Sequence, residues 1–255
     1  GVDASYNLRY GDFKARISGY YTRIYDQSKV ISYYDDVAAT FTNFAMSGID
    51  KVHFGLEAAV SIPIYHTLAL NGAVSWGQYT YDSNPYYLQT QDNSGDIVSD
   101  GYVYWKDFRV ESTPQTAVNV GLSWRSNNNI YLSADFNYYN NMYLSMSPIY
   151  RTDAVITGGM APGDIEHLRR QEKFDSAYTL NASIGKNWYI HRKYTLGFSL
   201  DVKNILNNQD IKTGGYEQTR LSKNTETTVT TYQAFDSKYF YMFGTTYYLN
   251  LYFRF

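Results

Sequence analysis

Hydrophobic and polar residues alternate along much of the chain. In the run Phe240–Phe255, the odd positions Tyr241, Phe243, Tyr247, Leu249, Leu251, Phe253 and Phe255 are apolar. The even positions include Gly244, Thr246, Asn250 and Arg254. A period of two predicts a strand, because successive side chains point to opposite faces. The run is long for a globular strand of about 5–6 residues. It suits a strand tilted through a bilayer, which places about 9–11 residues in hydrocarbon. The same alternation marks Val2–Tyr10, Phe13–Tyr25, Lys51–Ile62, Thr67–Tyr81, Thr116–Trp124, Ile130–Asn140, Tyr178–Ile190 and Tyr194–Val202, so nine strands are expected.

The connections alternate too. Gly11-Asp12, Pro63–His66, Ser126–Asn128 and His191-Arg192 are short turns. Asp26–Asp50, Asp82–Pro114, Met142–Asp175 and Asn207–Lys238 are expected to be long loops. Long loops without structure of their own are uncommon in compact soluble domains. Short turns at one end of a meander and long loops at the other are the pattern of an outer-membrane barrel.

Charge follows the same alternation. Asp3, Arg9, Lys14, Arg16, Glu57, Asp135, Asp201, Lys203 and Arg254 lie on the polar faces, while Arg23 and Lys186 fall on apolar ones near strand ends. A Lys or Arg facing lipid at the bilayer midplane costs about 2–4 kcal/mol. The expected fold is therefore all-β: a transmembrane antiparallel up-and-down barrel, with apolar side chains on lipid and polar ones in a lumen. A soluble sandwich would share the alternation but would have short loops at both ends. Nine strands would leave two unpaired edges in lipid, so further strands are expected outside these residues. The chain opens within a strand and carries no signal peptide, which is expected of a piece of a longer polypeptide.

Composition adds little that is specific. The net charge of −2 gives no basic footprint for nucleic acid. There is no cysteine, which excludes disulfides and thiolate metal sites. A mean hydropathy of −0.44 fits a barrel, in which alternate residues face water. The 29 tyrosines suit membrane–water interfaces, since the ring is apolar and the hydroxyl can stay wet.

No catalytic constellation stands out, and the expectation is a protein that is not an enzyme and needs no cofactor. His53, His66, His167 and His191 lack metal-ligand spacing. Asp35-Asp36 is a candidate surface cation pair, against a solvated loop charge. Gly158-Gly159 and Gly214-Gly215 read as flexible loop, and Gly163–Phe174 as a short helix capped by Asp164, with Ile165, Leu168 and Phe174 on one side. Tyr33, Tyr34, Phe41, Phe44, Tyr86, Tyr87, Tyr102, Tyr104, Trp105, Tyr150, Tyr216 and Tyr232 crowd the long loops. Such rings suit a glycan, peptide or siderophore ligand, or pack the loops against one another. Arg16, Glu57, Asp135, Asp201, Lys203 and Arg254 are the candidate lumen residues.

The terminal YLNLYFRF and the segment Val202-Lys203-Asn204-Ile205-Leu206-Asn207 resemble the C-terminal part of a TonB-dependent outer-membrane transporter. The resemblance implies that these are the last nine strands of a 22-stranded barrel. It also implies a plug domain held by the lumen charges, a TonB-type energy-coupling protein, and in some branches a surface lipoprotein lid. Phe255 is similar to the terminal aromatic residue read by the barrel-assembly machinery. The implied function is energised nutrient import. The alternatives are a passive porin or structural barrel, and a soluble carbohydrate-binding module.

Overall fold

The structure, a computed structural model, describes residues 1–36, 39–111, 113–158, 162–191, 193–224 and 231–255. Among these residues the chain forms β1 (Val2–Tyr10), β2 (Phe13–Asp35), β3 (Thr40–Tyr65), β4 (Leu68–Tyr81), β5 (Tyr86–Gln91), β6 (Ile97–Tyr102), β7 (Thr116–Arg125) and β8 (Ile130–Asn140). Two short helices follow, α1 (Asp153–Ile156) and α2 (Pro162–Arg169). The remainder is β9 (Ala177–Ile190), β10 (Tyr194–Lys203), β11 (Lys212–Tyr216), β12 (Leu221–Asn224), β13 (Thr231–Ala234), β14 (Lys238–Tyr241) and β15 (Thr246–Arg254). The fold is all-β. No helix among the described residues is long and apolar enough to cross a membrane.

One sheet dominates, with order β1-β2-β3-β4-β7-β8-β9-β10-β15 and every neighbour antiparallel. Each of its nine strands falls on one of the nine expected, with β2 and β3 longer and the last one shorter than expected. The register keeps one parity across the sheet. Arg16 faces Ala59, Ala59 faces Ala73, Ala73 faces Asn119, and Asn119 faces Asn137. Hydrogen bonds run across this polar face: Asn119 Nδ2 to Asn137 Oδ1 at 2.8 Å, Ser61 Oγ to Asn71 Oδ1 at 2.8 Å, and Ser133 with Ser183 at 2.8 Å. Glycine is needed where a ring lies over the neighbouring strand: a Cβ on Gly55 would meet the Tyr20 hydroxyl at 2.5 Å.

The opposite face is apolar and open. Leu249, Leu251 and Phe253 are 60%, 71% and 57% exposed, and Leu122, Leu132, Phe136, Ile184 and Trp188 are exposed beside them. Both cations on this face have partners. Arg23 pairs with Asp82 at 2.6 Å, and the Lys186 ammonium lies 5.2 Å from the Trp188 ring centre. The hydrophobic core lies elsewhere, in a cap that the long connections build at one end of the sheet.

Those connections are structured, which corrects the expectation of loops. β2 runs on to Asp35 and β3 starts at Thr40, paired through this stretch, and β5–β6 adds to β3 through Thr42–Ser47. Two register shifts, between Ile24 and Gln27 and between Gln27 and Lys29, slip the side-chain phase. Asp26 and Gly48 take positive φ there, as bulged strands require. The alternation is therefore interrupted in sequence while the hydrogen-bonded ladder continues.

The expected terminal strand is two elements. β14 pairs with β11, and β15 pairs with β10. Between them, Thr245 donates its N–H to Asn207 Oδ1 at 3.1 Å and its hydroxyl to Asn204 O at 2.9 Å. The buried Asn204 side chain donates to Asn208 O and Phe243 O at 2.9 and 3.0 Å. Asn204 and Asn207 both adopt positive φ. The Val202–Asn207 motif thus ties the end of β10 to the break before β15. The turn expected at Pro63–His66 is narrower, since Tyr65 pairs with Leu68 and Pro63 sits in β3 beside an irregularity.

Candidate functional site

The cap is a layer of short strands and helices with its own core. Phe44 stacks on Tyr87 with ring centres 4.6 Å apart, and Tyr81 lies 4.7 Å from Trp105. Tyr33, Met46, Ile49, Val103, Met146, Ile149, Tyr150, Val155, Leu168 and Leu221 complete this cluster. Buried aromatic rings packed against one another give these long connections a core of their own.

An ion pair crosses the cap core. Arg151 is fully buried in a 3₁₀ turn at Ile149–Arg151, and it forks onto Glu217, with Nη2 to Oε1 at 2.8 Å and a second, shorter contact through Nη1. Nη1 also donates to Ser147 O at 3.0 Å, and the Ser147 N–H donates to Glu217 Oε2 at 2.8 Å. A bidentate arginine–carboxylate pair fixes geometry as well as charge. Nearby, Lys212 Nζ lies 2.9 Å from Glu172 Oε1, and the Tyr239 hydroxyl donates to Glu172 Oε2 at 2.7 Å. That acceptor beside it pushes the Tyr239 hydroxyl up from its ordinary pKa. At the surface, Arg220 forks onto Asp36 at 2.8 and 2.9 Å and holds that carboxyl below the usual range.

The candidate aromatics divide into two sets. Tyr33, Tyr87, Trp105 and Tyr150 are buried in the cap core, together with Phe44. Their rings pack against protein, and Tyr150 donates to Arg220 O at 2.9 Å. Tyr34, Tyr86, Tyr102 and Tyr216 are exposed, and Tyr104 is half-buried. Tyr86 and Tyr102 meet edge-on at 5.6 Å, and Tyr34 meets Phe41 at 5.3 Å. Of the two sets, this second one carries exposed ring surface.

Arg16, Glu57, Asp135, Asp201, Lys203 and Arg254 share the polar face of the sheet by register. Among the described residues none of the six forms an ion pair. Phe255 follows β15 and is 90% exposed.

Other expectations change. Asp36 is taken by Arg220, and Asp35 accepts from Gln89 Nε2 at 2.6 Å, so the acidic pair is bound to protein groups. Among the described residues no three His, Asp or Glu side chains gather to hold a metal ion. Gly214-Gly215 is strand β11, where a Cβ on Gly215 would strike Lys238 O. Gly159 lies outside the described residues. α2 starts at Pro162, which puts Asp164 inside its first turn. Leu168 packs in the main cluster, while Phe174 joins a second one with Met142 and Leu144.

Sequence reading missed Arg151, Glu217, Glu172 and Lys212. They lie far apart along the chain, and no local periodicity links them. The one available signal was an unpaired arginine beside Pro148-Ile149-Tyr150 within an apolar stretch.

A cavity of about 540 Å³ opens between the end of α2 and the β13–β14 segment. Its lining mixes charged side chains with aromatic ones, among them Arg170, Glu172, Lys173, Glu217, Asp236 and Tyr239.

No family model matches the chain, and no curated protein matches it. Among solved structures it is weakly similar to P. aeruginosa FpvA bound to heterologous pyoverdines, as an FpvA–pyoverdine–iron complex. The TM-score is 0.43 and the identity 12%, over 99% of this chain and 32% of that one. This chain thus spans about a third of FpvA.

Proposed function

We propose that this chain is the C-terminal nine strands of an outer-membrane β-barrel that imports a nutrient of the glycan, peptide or siderophore class. The observation that carries the reading is the open apolar face of the sheet, with Leu249, Leu251 and Phe253 all more than half exposed. Apolar area left in water forgoes about 25 cal/mol per Å². A contiguous apolar face of nine strands is matched by hydrocarbon. The polar parity of Arg16, Glu57, Asp135, Asp201, Lys203 and Arg254 then faces a lumen.

Geometry also supports further strands. Nine antiparallel strands leave β1 and β15 running parallel at the two edges. Antiparallel closure needs an odd number of additional strands, and thirteen would complete the 22 of the TonB-dependent transporters that the sequence resembles. In this reading the cap is extracellular and the short turns periplasmic. The lumen charges, unpaired here, meet a plug domain of the same protein, and a TonB-type protein pulls on that plug. A surface lipoprotein lid would sit over the cap. Transport, rather than catalysis, is the activity assigned.

The test is fractionation and uptake with the full-length protein. It should extract from outer membranes only with detergent, and deletion of its gene should abolish growth on one nutrient that wild-type cells use. Monodisperse protein in buffer without detergent would overturn the membrane reading. Ion conductance through the protein with no plug present would favour a passive porin.

A further inference from the structure

The cavity beside α2 carries an imbalance of charge. Glu217 is consumed by Arg151, and Glu172 by Lys212 and the Tyr239 hydroxyl. Among the described residues, the side chains of Arg170 and Lys173 have no ion-pair partner. Among the described lining residues, Asp236 is the acid left without an internal cation. Two exposed cations without ion-pair partners, with His167 beside them, therefore line the cavity together with one free carboxylate and the rings of Phe235 and Tyr239. Two of the three lining acids are neutralised internally while both bases stay open, an excess of positive charge that a ligand's anion would complement.

We infer that this cavity binds a small carboxylate-bearing ligand, its carboxylate on Arg170 and Lys173 and its apolar or ring surface against Phe235 and Tyr239. A volume of about 540 Å³ lies within the range of small-ligand sites. Two sources share this chemistry, a uronate sugar and an acidic peptide. The inference rests on the cap being the ligand-facing end of an importer.

The experiment is titration calorimetry on full-length protein in detergent, with three probes: a uronate disaccharide, the matching neutral disaccharide and a glutamate dipeptide. One or both carboxylate-bearing probes should bind, more weakly at high salt, and the neutral sugar should not. Which of the two binds identifies the source. Arg170→Gln with Lys173→Gln should weaken binding by about tenfold or more, the loss of charge-assisted hydrogen bonds. Asp236→Asn should tighten it, a change of sign that misfolding does not produce. Equal binding of charged and neutral sugars, absence of binding by either carboxylate probe, or indifference to the three substitutions would overturn the inference. A protein that needs detergent and supports uptake yet fails here loses only this site assignment. A protein soluble without detergent that still binds the carboxylate probe loses only the membrane reading.

Discussion

Leu249→Arg separates a lipid-facing strand from a water-facing one. Leu249 is three residues from the start of β15 and opposite Leu200 on β10. At about 3.4 Å per residue it lies about 10 Å along the strand from that end. A tilt of about 45° brings this to about 7 Å of depth. An arginine there snorkels part of the way, so the cost falls in the lower part of the barrel range, about 2 kcal/mol. That is about a thirtyfold shift in the folding equilibrium. The control is Asn250→Arg, one residue on and on the polar face opposite Ser199. It should be nearly neutral. If the apolar face met water, Leu249→Arg would replace a 60% exposed side chain at a surface site, with an effect within about 0.5 kcal/mol. The assay is guanidinium unfolding of the full-length protein reconstituted in liposomes, with folded and unfolded forms resolved by gel mobility. Equal midpoints for the two variants would refute the assignment of faces.

Glu217→Gln should leave the buried Arg151 without its counter-charge and destabilise the cap by about 3–5 kcal/mol. Hydrogen exchange should quicken around Ser145–Arg151 while β8 and β9 keep their protection, and unchanged protection in the cap would count against the clamp. Gly185→Val should cost about 1–3 kcal/mol, because Tyr131 lies over Gly185 on the polar face. Tyr131→Ala should recover part of that loss in the liposome assay, and no recovery would remove the ring as the cause. Burial pushes the Tyr150 hydroxyl up to about 12. Its unfolded value is about 10, so its contribution is intact below about pH 10 and is lost as pH rises towards about 12. Several tyrosines are pushed up, so phenolate absorbance should lose one of its late-titrating tyrosines in Tyr150→Phe, and cap exchange should quicken over the same interval.

The two faces of each sheet strand could be read directly from residue order. Alternation is local: parity fixes which side of a strand a residue occupies, and hydrogen-bonded register carries that parity from Arg16 across to Arg254. The strand count followed for the same reason. The cap could not be read this way. Two bulges near Asp26 and Gly48 slip the phase, so a continuous hairpin looks like a polar loop. The break between β14 and β15 is set by Asn204 reaching Phe243, with no trace in the apolar pattern of the final run. Aromatic content marked candidate rings in the long connections, yet packing determined that Tyr33, Tyr87, Trp105 and Tyr150 turn inward while Tyr34, Tyr86, Tyr102 and Tyr216 stay outside. Charge partners such as Arg151 with Glu217, and Asp36 with Arg220, meet across long separations in sequence. Such pairings arise from the path of the folded backbone, which a period of two does not encode.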